Sequence, residues 1–247
     1  MGSYRLLTFL LVVTSFMGCT PTSENVMRKA DPKHSDPSGD RLAAVHGYFL
    51  VRTVNPIDMP TSSILRSYGS TIRQYADKYG FDWRLIVAVM RVESGFSATA
   101  ESQKGAEGLM QMMPTTSEEV GRRLDIEDMA HPSNNIKGGV YYLARLYRLF
   151  ESSEQTDRIK LTLAAYNAGM GRIYDAQELA AYFHENPAKW SAVRDALPLL
   201  SKRYYTLHRN IWSQDKPKSG WFGNSRETVA YVDRIMQCYD EYRESLN

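Results

Sequence analysis

Cysteine is nearly absent, with two thiols, Cys19 and Cys238, in 247 residues. A disulfide framework is therefore excluded as the basis of the fold. The five histidines, at positions 34, 46, 131, 184 and 208, are scattered and form no HExxH-type pair. That leaves no zinc-ligand spacing, and neither a metal nor another cofactor is expected. Neither sign of charge dominates, with 30 basic against 28 acidic residues. No basic run interleaved with aromatics appears, so no nucleic-acid partner is expected. Strand alternation, internal repeats and coiled-coil heptads are missing as well. What remains is helical periodicity in a chain long enough to bury a sizeable core, which predicts an all-α fold.

Residues 81–114, FDWRLIVAVMRVESGFSATAESQKGAEGLMQMMP, organise the rest. Asp82 is a good N-cap, and Leu85, Ile86, Val89 and Met90 recur at helical spacing. Glu93 follows Met90 and Val89 by three and four residues, so it lies on their stripe. Gly95 ends the helix. Burial and the negative end of the helix dipole both disfavour the carboxylate anion there. A raised pKa and a proton donor at neutral pH are the consequence. Position alone fits better a Glu whose head reaches solvent from a last helical turn.

The residues after Glu93 narrow the choice. Ser94, Phe96, Ser102, Gly105, Ala106 and residues 108–114, GLMQMMP, resemble the signature of the soluble lytic transglycosylase (SLT) family, which is related to goose-type lysozyme. Three further blocks recur in the family's order: Asn135-Ile136 with Tyr142-Leu143, then residues 164–169, AAYNAG, then Glu227-Thr228 with Tyr231-Val232. The similarity covers roughly residues 64–245. It implies a lysozyme-like single domain with a deep substrate groove, and peptidoglycan glycan strands as the partner. It also implies a single catalytic acid, matched by Glu93, that cleaves the β-1,4 MurNAc–GlcNAc bond without water and leaves a 1,6-anhydro sugar.

By the same resemblance Ser94, Ser102 and Gln111 contact substrate near the acid. Met113 forms an apolar platform under a sugar, Tyr166 and Asn167 flank the cleft, and Glu227 and Tyr231 orient it. Structural readings stand beside these. One of Met112 and Met113 could be core, Tyr166 and Asn167 could cap a helix before Gly169, and Glu227 complements a helix N-terminus in any case. Two rival functions share the pattern, a hydrolytic goose-type muramidase and a non-catalytic glycan-binding lipoprotein.

The N-terminus reads as an export signal over residues 1–18, with Arg5 ahead of a short apolar stretch at 6–13 that is too short to span a bilayer. Phe16-Met17-Gly18-Cys19 resembles a bacterial lipobox, with Phe16 where Leu is usual. Lipidation at Cys19, a membrane anchor and an outer-membrane location facing the periplasm are what that implies. Residues 19–40 then form a flexible tether and 41–61 an arm, in which residues 48–51 read as a short strand or an extended segment. The catalytic domain is expected over 62–246.

Within that domain, Leu65, Tyr68, Ile72, Tyr75 and Tyr79 predict the apolar side of a first helix ended by Gly80. Thr115 and Glu118 predict a capping box. Asp157 begins a helix through Ala168, residues 174–185 and, separately, 188–212 read as further helices interrupted at Pro187 and Pro198, and residues 226–245 read as the last helix. Cys238 packs as a small core residue. Trp221 and Phe222 either tuck under their loop or line a sugar groove.

Overall fold

The computed structural model describes residues 58–246, and the secondary structure there is helical throughout, without a named strand. The signal, Cys19, the tether and residues 48–51 lie outside the described residues. The first helix, α1 (Met59–Tyr79), starts where the Asp58 side chain accepts the Thr61 N–H at 2.9 Å. Pro60 lies in its first turn, where a ring that lacks an N–H is tolerated. Residues 59–61 therefore belong to the helical domain. The buried side of α1 also differs from expectation, comprising Thr61, Ile64, Gly69, Ile72 and Ala76. Small residues let neighbouring helices approach, while Leu65, Tyr68, Tyr75 and Tyr79 sit half-buried at the flank.

The central helix is α2 (Trp83–Ser94), and it packs against α1. Asp82 caps it, accepting the Arg84 N–H at 2.9 Å, and Gly95 closes it in the left-handed region at φ 58°. Residues 85–90 are all buried, so α2 is enclosed on every side rather than along one stripe. Next come α3 (Pro114–Leu124) and α4 (Pro132–Arg148). The expected capping box of Thr115 and Glu118 does not form. Pro114 takes the first helical position and moves the start upstream, with Met113 as an N-cap that makes no side-chain bond.

Helix α5 (Gln155–Ala168) begins two residues before Asp157 and ends at Gly169 as predicted. Then α6 (Met170–Tyr182) and α7 (Trp190–Ala196) follow. The segment 188–212 is interrupted at Pro198 as expected: the proline sits in a 3-10 turn over residues 197–200, a second 3-10 turn covers 202–204, and α-helix resumes at α8 (Tyr205–Ile211). The last helix, α9 (Ser225–Ser245), packs against both α2 and α5. It buries Val232, Ile235 and Cys238, the last as expected for a small core residue. Truncating a fully buried Ile of this kind to Ala typically costs about 2–5 kcal/mol. Of the two loop aromatics, Phe222 is buried and its N–H reaches the Leu200 carbonyl at 3.0 Å, whereas Trp221 stays exposed.

Candidate active site

Glu93 sits in the last turn of α2, partly open to solvent but with its carboxyl surrounded by protein. Burial raises its pKa to about 7, against the opposing pull of a hydrogen bond from Tyr231 and the charge of Arg234. The Tyr231 hydroxyl, from α9, donates to Glu93 Oε1 at 2.5 Å. Tyr166, on α5, is close enough for the Glu93 charge to act on its phenol. Burial first, and that negative charge second, push both phenols well above the ordinary tyrosine range. A carboxyl group that titrates near neutrality thus stands between two phenols that stay protonated.

The loop from 95 to 113 is tied down at many points. The Ser94 hydroxyl lies 3.1 Å from the Met90 carbonyl and 3.0 Å from that of Leu109, joining the loop to the end of α2. Ser102 closes a turn by accepting the Ala106 N–H at 2.9 Å. Asn135, fully buried on α4, accepts the Met110 N–H at 2.8 Å and donates to the Glu107 carbonyl at 3.1 Å. Gly108 is required beneath it, because a Cβ there would stand 2.7 Å from the Asn135 side chain and the backbone is at φ +77°.

Gln111 adopts φ 45°, uncommon for a residue with a side chain, and its amide donates to the carbonyls of Ala100 and Gly108 at 3.0 Å each. The Tyr166 hydroxyl donates to the Met110 carbonyl at 2.7 Å, and its ring packs against Tyr142 at 5.6 Å. Sequence reasoning about roles therefore overlooked Asn135 and Tyr142, although both lie in the recognised blocks. It also missed Arg234, for which no local signal exists.

A cleft of about 280 Å³ is lined by Gln111, Met113, Tyr142, Tyr166 and Asn167. Met113 is 40% exposed, whereas its neighbour Met112 is buried in the core. Asn167 accepts the Thr228 hydroxyl at 2.8 Å, which pins the end of α5 to α9. Glu227 is exposed in the first turn of α9 and accepts from the Asn224 amide at 3.0 Å. It lies one turn before Tyr231 and so on the same side of the helix, but it does not touch Glu93. A second cavity of about 560 Å³ shares Tyr142, Ala168 and Gly169 with the cleft and continues it. A larger one, about 820 Å³, is bounded by Glu178, Tyr182 and Trp212 and holds none of the expected site residues. Among the described residues no three His, Cys, Asp or Glu side chains gather where they could hold a metal ion.

Several known proteins are similar to this chain. Residues 70–188 match the family model described as the Transglycosylase SLT domain. A membrane-bound lytic murein transglycosylase F from Desulfosudis oleivorans is 36% identical over 68% of this chain and 35% of its own length. The protein of the same name from Shewanella pealeana is 37% identical over 71% of this chain and 34% of its own. The chain thus spans about a third of the length of these curated relatives. Among solved structures, lytic transglycosylase Slt from Pseudomonas aeruginosa, in the form of an inactive Glu-to-Gln mutant, superposes with a TM-score of 0.51. It shares 25% identity over 73% of this chain and 25% of that one. The all-α, lysozyme-like fold is that of the SLT lytic transglycosylases.

Proposed function

Because the chain carries a transglycosylase SLT domain, we propose that it is a peptidoglycan lytic transglycosylase with Glu93 as its single general acid and base. The observation that carries the reading is a carboxyl with a pKa of about 7 at the end of a buried helix, held by Tyr231 and close enough for its charge to act on Tyr166, which lines the open cleft. An acid that is partly protonated at neutral pH can deliver a proton to the glycosidic oxygen. The bond to the anomeric carbon then breaks, and positive charge develops on that carbon. The resulting Glu93 carboxylate takes the proton from the sugar's own 6-hydroxyl, whose oxygen closes on the same carbon. One proton leaves Glu93 and one returns, no water is consumed, and a 1,6-anhydro end results.

Tyr231 suits this cycle because its hydroxyl holds the carboxylate in place after the proton has gone. The charge of Arg234 opposes the effect of burial on Glu93 and so helps to hold the carboxylate form that must take the second proton. Gln111, Met113, Tyr166 and Asn167 would hold the glycan along the cleft, and Glu227 would add negative potential near its rim. Ser94 and Ser102 serve the site by shaping the loop, and substrate contact through their oxygens is part of the proposal. Lipidation at Cys19 and an outer-membrane location facing the periplasm complete it, supported by the lipobox-like stretch and by the membrane-bound relatives.

Digestion of purified sacculi with wild type and with Glu93→Gln tests the assignment. Mass analysis should find muropeptides lighter by one water from wild type and none from the variant, which still binds glycan. Reducing-end products would instead make the protein a muramidase, and glycan binding without turnover would make it an anchor. Full activity of Glu93→Gln would remove Glu93 from the chemistry.

A further inference from the structure

The cavity of about 560 Å³ that continues the cleft has an unusual charge pattern. Two guanidinium groups, Arg145 and Arg172, and one carboxylate, Glu119, line it. Glu119 is already paired, with Arg145 at 2.7 Å. No carboxylate among the described residues pairs with Arg172. Its Nη1 donates to the Ala168 carbonyl at 2.6 Å, its guanidinium lies 5.1 Å from the centre of the Phe222 ring, and its Nε–H is buried without an acceptor. A guanidinium held in one place with its charge unbalanced is prepared for an anion.

The surroundings agree. Arg172 lies in the first turn of α6, whose free amides and positive dipole end border the same cavity at Met170 and Gly171. Ser219 faces it from the loop between α8 and α9, with a hydroxyl that makes no bond among the described residues. Its position is not accidental. Buried Asp175 accepts the Lys218 and Ser219 N–H groups at 3.2 and 2.8 Å, and Gly171 has no side chain because a Cβ would meet Ser219 Oγ at 2.4 Å. The loop is thereby clamped against the start of α6 with Ser219 at the cavity wall.

Resting on the glycan-cleaving reading above, we propose that this cavity is a carboxylate subsite. Arg172 and Ser219 would bind an acidic group carried by the glycan strand as it runs on from Tyr142 and Gly169. Two parts of peptidoglycan supply that chemistry, the carboxylates of a stem peptide and the lactyl carboxylate of a muramic acid stripped of its peptide. A neutral GlcNAc oligomer supplies neither. The subsite makes the enzyme sensitive to how its substrate is decorated, and it does so away from the reacting bond.

Binding to full-length Glu93→Gln protein tests this without turnover. Calorimetry would compare a peptide-bearing tetrasaccharide, the same glycan stripped by an amidase, and a neutral GlcNAc tetramer. Adding Arg172→Gln should lower the preference for carboxylate-bearing over neutral glycan on the order of tenfold, the scale of one charge-assisted hydrogen bond. Ser219→Ala should lower it about threefold, and serves if the arginine variant fails to fold. Whichever acidic glycan loses its advantage identifies the source of the carboxylate. A preference ratio that stays the same in both variants overturns the subsite while leaving the proposed function intact. Failure of the Glu93→Gln protein to bind any of the three glycans overturns both.

Discussion

Replacing Tyr231 by Phe removes one hydroxyl from the site and little else, since the ring is buried and keeps its packing. That hydroxyl donates at 2.5 Å to Glu93 Oε1 and opposes the effect of burial on the Glu93 pKa. A hydrogen bond to a charged group contributes about 1.5–3 kcal/mol, and about 1.36 kcal/mol corresponds to one pH unit of titration. Loss of the bond should therefore raise the Glu93 pKa from about 7 by roughly one to two pH units. Glu93 opens partly to solvent, so the lower end, about one, is expected. The sign follows from the role: the acid must be protonated to act, so activity falls as pH rises through its pKa. In Tyr231→Phe the alkaline limb of kcat/KM should move upward by that amount. Its maximum should drop about tenfold as the carboxylate loses its orientation. The assay is a pH profile of anhydro-muropeptide release from sacculi. An alkaline limb that stays in place or moves toward acid would refute the account of how Glu93 is tuned.

Three further outcomes are expected. Asn135→Ala should destabilise the domain by about 2–4 kcal/mol in urea unfolding, because it strands the Met110 N–H and the Glu107 carbonyl. Glu227→Gln should slow turnover only ten- to a thousandfold, roughly what electrostatic help near a reacting centre is worth, and the products should remain anhydro-sugars. A loss as complete as that of Glu93→Gln would instead make Glu227 a second catalytic group. Cys19→Ser should move the full-length protein from the membrane to the soluble fraction on cell fractionation, and a wild type that is already soluble would rule the anchor out.

Part of the fold around the site is legible in the amino-acid order alone. Asp82, Gly80, Gly95 and Gly169 mark helix ends at the expected positions, because capping and the left-handed region are local chemistry. Local patterns mislead where two of them compete. At Pro114 the proline's fixed geometry prevails over the capping-box pattern of Thr115 and Glu118. In α1 the tyrosines suggest the apolar face, yet close helix packing selects Ile64, Gly69 and Ala76.

A lone acid closing an apolar helix, followed by a glycine-containing loop, is determined by the sequence itself, since helical period and turn chemistry act over a few residues. What surrounds that acid is decided only by the tertiary structure. Tyr231 reaches Glu93 across 138 residues, Tyr166 meets the Met110 carbonyl across 56, and Thr228 finds Asn167 across 61. Each contact depends on the angle and depth at which α9 and α5 pack around α2 and its loop. Those are set by the whole core at once, so no local pattern could name Tyr231 as the hydrogen-bond partner that tunes the acid.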